Sequence, residues 1–364
     1  MLFQVLDRDS FAPSSQSHDS PSKITNDCVK IQINISVYLL LVEAIQEARA
    51  QQQQHCSITT TTMCIVIFRI DPNNEFPFVL ASNRDEFWSR PTAPLHWWDA
   101  GESKEIHDTV PTILAGQDFQ EGGTWLAMQS HTHRLAVVTN YREPLPPLGQ
   151  EPSLSRGKLV TDFLSSQTTT CIDDFIAHLE KESHLYSGFN LLFGSPTWGY
   201  YFYSNRTAAS SSEANHPIKL ETGQVYGMSN GFLNEPWPKV SRGKEAFSKA
   251  LEETMSGANE SERPRKESLK QKLWNVMADE WKPEEKDLPK TGVTLEFEKI
   301  LSSIFVQGAA QFNYGTRCST IILQTSDGTW EVEERTYHRP NMGGEDEKGL
   351  LMQSEECETR LFRL

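Results

Sequence analysis

The stretch Met63-Cys64-Ile65-Val66-Ile67-Phe68-Arg69-Ile70, followed by Phe78-Val79-Leu80-Ala81-Ser82 and then Asn83-Arg84-Asp85-Glu86, decides how this chain folds. Cys64 to Ile70 is β-branched and apolar, the pattern that fits a pleated, half-buried surface. Asp71-Pro72-Asn73-Asn74 supplies turn chemistry, and Phe78 to Ser82 is a second short strand. The pair predicts a hairpin joined by a polar loop. If the backbone stays extended past Ser82, a period of two sends Asn83 and Asp85 to one face, and Arg84 and Glu86 to the other.

Downstream, Ile113 to Gly116, Thr124 to Gln129 and Leu135 to Asn140 predict further strands, with Gly122-Gly123 turning the chain before Trp125. Helical signals follow. Ser155 is placed to cap a helix through Leu159, Val160, Phe163 and Leu164, and Ile172, Phe175, Ile176 and Leu179 repeat at helical spacing. Asp173 and Asp174 suit the positive end of that second helix. Strands return over Asn190 to Gly194, Trp198 to Tyr203, Ile218 to Leu220 and Gln224 to Ser229. Helices are then expected from about Arg242 to Met255, over Leu273 to Trp281 and over Leu295 to Phe305. A closing hairpin, Cys318 to Gln324 with Trp330 to Arg335, turns at Asp327-Gly328. No repeat period is visible. Strands, helices, strands, helices, strands is an order compatible with two stacked sheets covered by helices.

Upstream of Met63 the text changes character. Ser14 to Ser22 is polar and proline-bearing, and Gln51 to Gln54 and Thr59 to Thr62 are low in complexity. Residues 1–62 read as a disordered extension, or as sequence preceding an initiation at Met63. Residues 63–339 read as the domain and 340–364 as an acidic tail. The 364 residues carry a formal charge of −15, so nucleic acid meets no basic footprint. The longest apolar run before Met63, Val37 to Ile45, is interrupted by Glu43 and falls short of the roughly 20 residues that span a bilayer. Six cysteines without a C-x-x-C pair suggest reduced thiols and a cytosol-like compartment. No cysteine–histidine cluster completes a metal site; His131 and His133 stand two apart without further ligands. His96 lies in an aromatic stretch with Trp97 and Trp98, which suits either a cavity lining or simple burial.

Several separated motifs carry a family resemblance: Asn83-Arg84-Asp85-Glu86, Gly122-Gly123-Thr124-Trp125-Leu126, Val138-Thr139-Asn140-Tyr141-Arg142, Tyr226-Gly227-Met228-Ser229-Asn230, Pro236-Trp237-Pro238-Lys239-Val240 and Tyr314-Gly315-Thr316-Arg317-Cys318-Ser319-Thr320. In this order they resemble the transport and Golgi organisation 2 (NRDE) family. The resemblance implies an α+β fold, a four-layered α/β/β/α sandwich like that of N-terminal nucleophile hydrolases, with choloylglycine hydrolases and acid ceramidase as chemical analogues. It also implies links to Golgi organisation and protein secretion, contact with secretory-pathway proteins, and binding or trafficking of apolar, acylated or haem-like ligands. Cytoplasmic, Golgi-associated and mitochondrial settings all come with it. Haem enters as a transported ligand, whereas the hydrolase alternative needs no cofactor.

Cys64 is the sharpest candidate for chemistry. A thiol attacks as its thiolate, and at the start of a chain its own α-amine can act as base. That requires initiation at Met63 with methionine removal, or cleavage after residue 63. Otherwise Cys64 reads as a small apolar residue in a first strand. Asp85 can orient such an amine. Arg84 can bind a carboxylate or hold Asp85; a salt-bridged strand end is the plainer reading of both. Asn140 and Asn230, each at a strand end, can donate to an oxyanion or satisfy nearby turn backbone. By resemblance, Arg317 tunes the thiol or binds a carbonyl or carboxylate; it also suits a structural bridge between layers.

Overall fold

In the computed structural model, the residues described are 64–98, 113–142, 154–165, 171–206, 215–256, 262–291, 293–307, 313–338 and 357–364. All of them belong to one unit, Ser57–Leu364. The upstream extension read over residues 1–62 lies outside the described residues.

The deciding hairpin forms as its sequence predicts. β1 (Cys64–Ile70) pairs antiparallel with β2 (Phe78–Phe87), Cys64 opposite Arg84 and Ile70 opposite Phe78. β2 runs longer than its apolar part, because the Asn83–Glu86 segment remains in the ladder and pairs on its other side with β11 (Tyr314–Gln324). With β10 (Val225–Met228), β12 (Trp330–Thr336) and β13 (Glu358–Arg363) these strands make a sheet ordered β10-β1-β2-β11-β12-β13. A second sheet is ordered β3-β4-β5-β6-β7-β8-β9. It comprises β3 (Thr92–Trp98), β4 (Ile113–Asp118), β5 (Leu126–Gln129), β6 (Leu135–Asn140), β7 (Phe189–Ser195), β8 (Gly199–Ser204) and β9 (Ile218–Lys219). Neighbouring strands are antiparallel throughout both sheets.

Alternation along the strands sorts the apolar residues into three clusters. One draws on both sheets: Val66, Phe68 and Leu80 meet Leu126, Met128 and Leu192. The opposite face of the first sheet, with Ile65, Ile67 and Val79, packs on α3 (Pro238–Met255) and α4 (Glu262–Met277) through Phe247, Leu273 and Trp274. The opposite face of the second sheet, with Ala127, Ala136 and Leu191, packs on α1 (Gly157–Leu164) and α2 (Ile172–Glu182) through Phe163 and Phe175. A short α5 (Leu295–Leu301) adds Phe297 and Leu301 beside Tyr314. The observed class is therefore mixed α/β with two large antiparallel sheets.

Local readings differ from the structure at several places. The helix expected over Leu273 to Trp281 instead runs Glu262–Met277. Ser155 does not cap α1; the N-cap is Arg156, without a side-chain bond, and Ser155 supplies only its carbonyl to Lys158 N–H. β3 escapes a pattern search because Pro94, lacking an N–H, sits in an irregularity of the ladder between Ala93 and His96. α3 begins at Pro238, where proline is pre-set for the first helical turn. Within the segment read as an acidic tail, Glu358–Arg363 pairs with β12 as an edge strand.

Candidate functional site

β2 carries the site. Its burial is continuous from Phe78 to Glu86, yet the residues turn from apolar to charged at Ser82. Because the strand stays extended, Asn83 and Asp85 point one way and Arg84 and Glu86 the other, as the period of two requires. Asn83 donates to the carbonyl oxygens of Met277 at 2.8 Å and Ile304 at 2.9 Å, tying the strand to the end of α4 and to the bend after α5. Arg84 projects to the opposite face, where its guanidinium lies 4.1 Å from the Trp125 ring, within cation–π range. Glu86 faces Arg84 at 3.3 Å and Arg90 at 3.6 Å, and Arg90 in turn holds Asp118 at 2.6 Å.

These groups open onto a cleft of about 360 Å³, whose lining includes Cys64, Arg84, Asp85 and Asn140. Four of the six residues singled out from sequence thus share one cavity. Asn230 adjoins it through direct bonds. Its Oδ1 accepts the Cys64 backbone N–H at 3.3 Å, and its Nδ2 donates to the Asn140 carbonyl at 2.8 Å. The Ser229 hydroxyl donates to the Cys64 carbonyl at 2.7 Å. Arg317 is placed elsewhere. Its guanidinium donates to the Phe87 and Arg90 carbonyls and the Thr92 hydroxyl, pinning the β2–β3 turn, and it does not line the cleft. Its position fits the structural bridge read from sequence.

The electrostatics are those of crowded, largely buried charges. Burial, then the Asp85 carboxylate, push the Cys64 thiol up to about 12, against the opposing pull of Arg84. With its nitrogen in a peptide bond, Cys64 is therefore a poor nucleophile near neutral pH. Burial also raises Asp85 to about 7, although Lys239 and the Thr316 hydroxyl, 2.7 Å from Oδ1, favour its charged form. Asp85 Oδ2 has no hydrogen-bond partner among the described residues. Lys239, equally buried, is brought down to about 8 by desolvation, with Asp85 opposing; its ammonium donates to the Leu301 carbonyl at 3.1 Å.

Lys239 was not identified as a site residue from sequence. After Pro236-Trp237-Pro238 a lysine reads as an exposed first-turn residue, and only the closure of α3 over β2 buries it. Its place inside a family motif was the available signal. Among the described residues no group of three or more His, Cys, Asp and Glu side chains is disposed to hold a metal ion. His96 is spent locally, its Nδ1 2.8 Å from the Pro94 carbonyl. No described helix is long and apolar enough to cross a membrane.

The motifs that build this cleft lie within residues 63–339, and over those residues the chain matches the family profile described as Transport and Golgi organisation 2. The chain belongs to the transport and Golgi organisation 2 family. A mouse relative, Transport and Golgi organization 2 homolog, is 34% identical over 293 residues, covering 75% of this chain and 93% of that protein. The human Transport and Golgi organization protein 2 homolog is 34% identical over 292 residues, with the same coverage. The Drosophila melanogaster Transport and Golgi organization protein 2 is 27% identical over 290 residues, covering 75% of this chain and 92% of that protein. This family membership accounts for the order of motifs along the chain, from the hairpin of Cys64 to the strand of Thr316.

Proposed function

We propose that this chain is a factor in Golgi organisation and protein secretion, acting in the cytoplasm or at the Golgi surface, and that it works by binding a small acylated or haem-like ligand in the Cys64 cleft. The family descriptor and the relatives' names support the cellular role. One observation carries the binding role: the Arg84 guanidinium, almost wholly buried and over the Trp125 ring, lines a cavity, and its one hydrogen bond among the described residues is a long 3.3 Å contact to Glu86. A buried cation presented to a cleft suits a carboxylate or a polarised carbonyl. The apolar part of such a ligand would extend past the polar lining toward Phe119, an exposed residue between the lining residues Asp118 and Gln120. Titrating the purified full chain with haemin and with long-chain acyl carboxylates tests this. Saturable binding at micromolar concentration is expected; binding of neither class would remove the reading.

The finer fold belongs to the same proposal. Two sheets sharing one apolar cluster, with helices clustered on their other faces, support a four-layered sandwich of the N-terminal nucleophile hydrolase kind.

A second reading is hydrolysis of an amide or thioester, favoured by the Cys64 N–H bonded to Asn230 Oδ1 and by the unpartnered Asp85 Oδ2. Were the mature chain to begin at Cys64, that nitrogen would be an amine able to accept the thiol proton. Sulfur would then bond to the acyl carbon, Asn140 and Asn230 would assist the oxyanion, and the amine would return the proton to the departing amine or thiol. Water would release the acid. Intact-mass measurement on natural protein decides it: full hydrolase activity in chains that retain residues before Cys64 would exclude this mechanism.

A further inference from the structure

The far wall of the Cys64 cleft has donors that the candidate catalytic group does not use. It is formed by the Gly123-Thr124 turn and the start of α1 at Gly157. These two backbones touch. A Cβ on Gly123 would come within 2.7 Å of Gly157 C, and a Cβ on Gly157 within 2.9 Å of Thr124 N. Only a pair of glycines permits that approach. Both backbones line the same side of the cavity.

Helix α1 begins without compensation. Its N-cap, Arg156, makes no side-chain cap bond, and no acidic residue occupies the first turn. Among the described residues, then, no side chain caps the positive end of the helix. Lys158 N–H and Leu159 N–H are bonded to the carbonyls just before them, but no bond to a described residue engages the amides of Gly123, Thr124 or Gly157. Backbone donors in a recess call for an acceptor.

Arg84 supplies an independent observation in the same cavity. Its side chain is 6% exposed, and among the described residues its one hydrogen bond is from Nη2 to Glu86, a long 3.3 Å. Nε and Nη1 have no acceptor among the described residues. The guanidinium carbon lies over the Trp125 ring at 4.1 Å, a contact that restrains these donors.

The carboxylates around the cleft are mostly committed. Asp118 is held by Arg90 and by Gln120 N–H. Glu86 is held by Arg84, Arg90 and Phe87 N–H. Glu121 sits at the exposed rim. Asp85 directs its bonded oxygen to Thr316 and is balanced by Lys239.

We propose that the cleft contains an oxyanion subsite, formed by the Gly123, Thr124 and Gly157 amides together with the Arg84 guanidinium, that takes a carboxylate or phosphate group of the ligand. It deepens the ligand-binding reading given above by naming the group that anchors the ligand and the wall it occupies. The uncapped helix and the buried fork together supply the two recurrent elements of anion recognition, aligned backbone amides and a planar cation.

The test uses the full-length, nitrogen-15-labelled chain titrated at constant ionic strength with inorganic phosphate, and separately with acetate. Saturable shifts of the Gly123, Thr124 and Gly157 amide resonances are expected with at least one anion, and the tighter of the two identifies the group. Arg84→Met should weaken binding by about tenfold or more, since it removes charged hydrogen bonds. Gly157→Ala should abolish it, and Arg242→Met, whose guanidinium pairs with Asp279 away from the cleft, should change it by less than about twofold. Thermal melts establish that each variant is folded; if Gly157→Ala is not, Arg84→Met decides. Absence of saturable shifts at these amides, or affinity unaltered in folded Arg84→Met, overturns the subsite. If acyl ligands bind while both simple anions fail, the subsite falls and the cleft reading stands; the reverse pattern removes the acyl and haem-like ligands and leaves the subsite.

Discussion

The two halves of β2 are buried to the same degree and built from opposite chemistry. Phe78, Val79, Leu80 and Ala81 are apolar and feed two clusters, one shared with the second sheet and one under the helices. Ser82 to Glu86 are polar or charged and no more exposed than 6%. Burial in the first half stabilises the chain through removal of apolar surface from water, about 25 cal/mol per Å². In the second half it costs free energy unless each charge finds a partner. Some do: Asn83 closes on the Met277 and Ile304 carbonyls, and Asp85 accepts from the Thr316 hydroxyl within the field of Lys239. Others stay incompletely matched, namely Asp85 Oδ2 and part of the Arg84 fork. A strand that is fully satisfied at one end and under-satisfied at the other, beside a cavity, marks the end where a ligand belongs.

The sharpest way to break this contrast is to remove one partner from the buried pair. Lys239→Met leaves Asp85 without its main opposing charge and should cost about 3–5 kcal/mol in urea denaturation; a loss near zero would mean that the pair is solvated in practice. Leu80→Ala, in the apolar half, should cost roughly 2–5 kcal/mol while ligand affinity at a temperature where the variant is folded stays unchanged. Arg84→Met should do the reverse, with a stability change of about 1 kcal/mol from the lost ring contact and a large loss of binding.

A smaller effect concerns pH. The folded Asp85 carboxyl sits near 7, above its unfolded value of about 4, so the native state binds that proton more tightly. Its contribution is fully present below about pH 4 and is lost as pH rises through about 7. The stability of the unaltered chain relative to Asp85→Asn should accordingly decline across that window. A flat difference between the two would show that Asp85 is ionised throughout. Least in size is the thiol effect: Asp85→Asn should speed alkylation of Cys64 at fixed pH, because the carboxylate is the leading charge holding the thiol protonated.

Much of this contrast was legible in the sequence, and the reasons are local. The first hairpin follows from β-branched runs on either side of an Asp-Pro-Asn-Asn turn. The opposite facing of Asn83 and Arg84 follows from strand periodicity alone. The gathering of Cys64, Arg84, Asp85 and Asn140 came instead from resemblance, since no spacing rule brings β6 to β2. Lys239 remained hidden because its burial depends on α3 closing over a strand far away in sequence. β13 did so because Glu358 to Arg363 alternates weakly and becomes a strand only against the edge of β12. Arg317 looked like a partner of the thiol, yet its donors are drawn to the carbonyls of Phe87 and Arg90, which the bulge between Thr316 and Cys318 brings within reach.

The most direct measurement is hydrogen–deuterium exchange on the full chain, with and without oleate and then haemin. Slower exchange is predicted in peptides covering Arg84 to Arg90, Gly123 to Trp125 and Arg156 to Gly157 with at least one of them, and no change over Phe78 to Ala81. Protection confined to other surfaces, or none with either ligand, would contradict a ligand site at the charged end of β2.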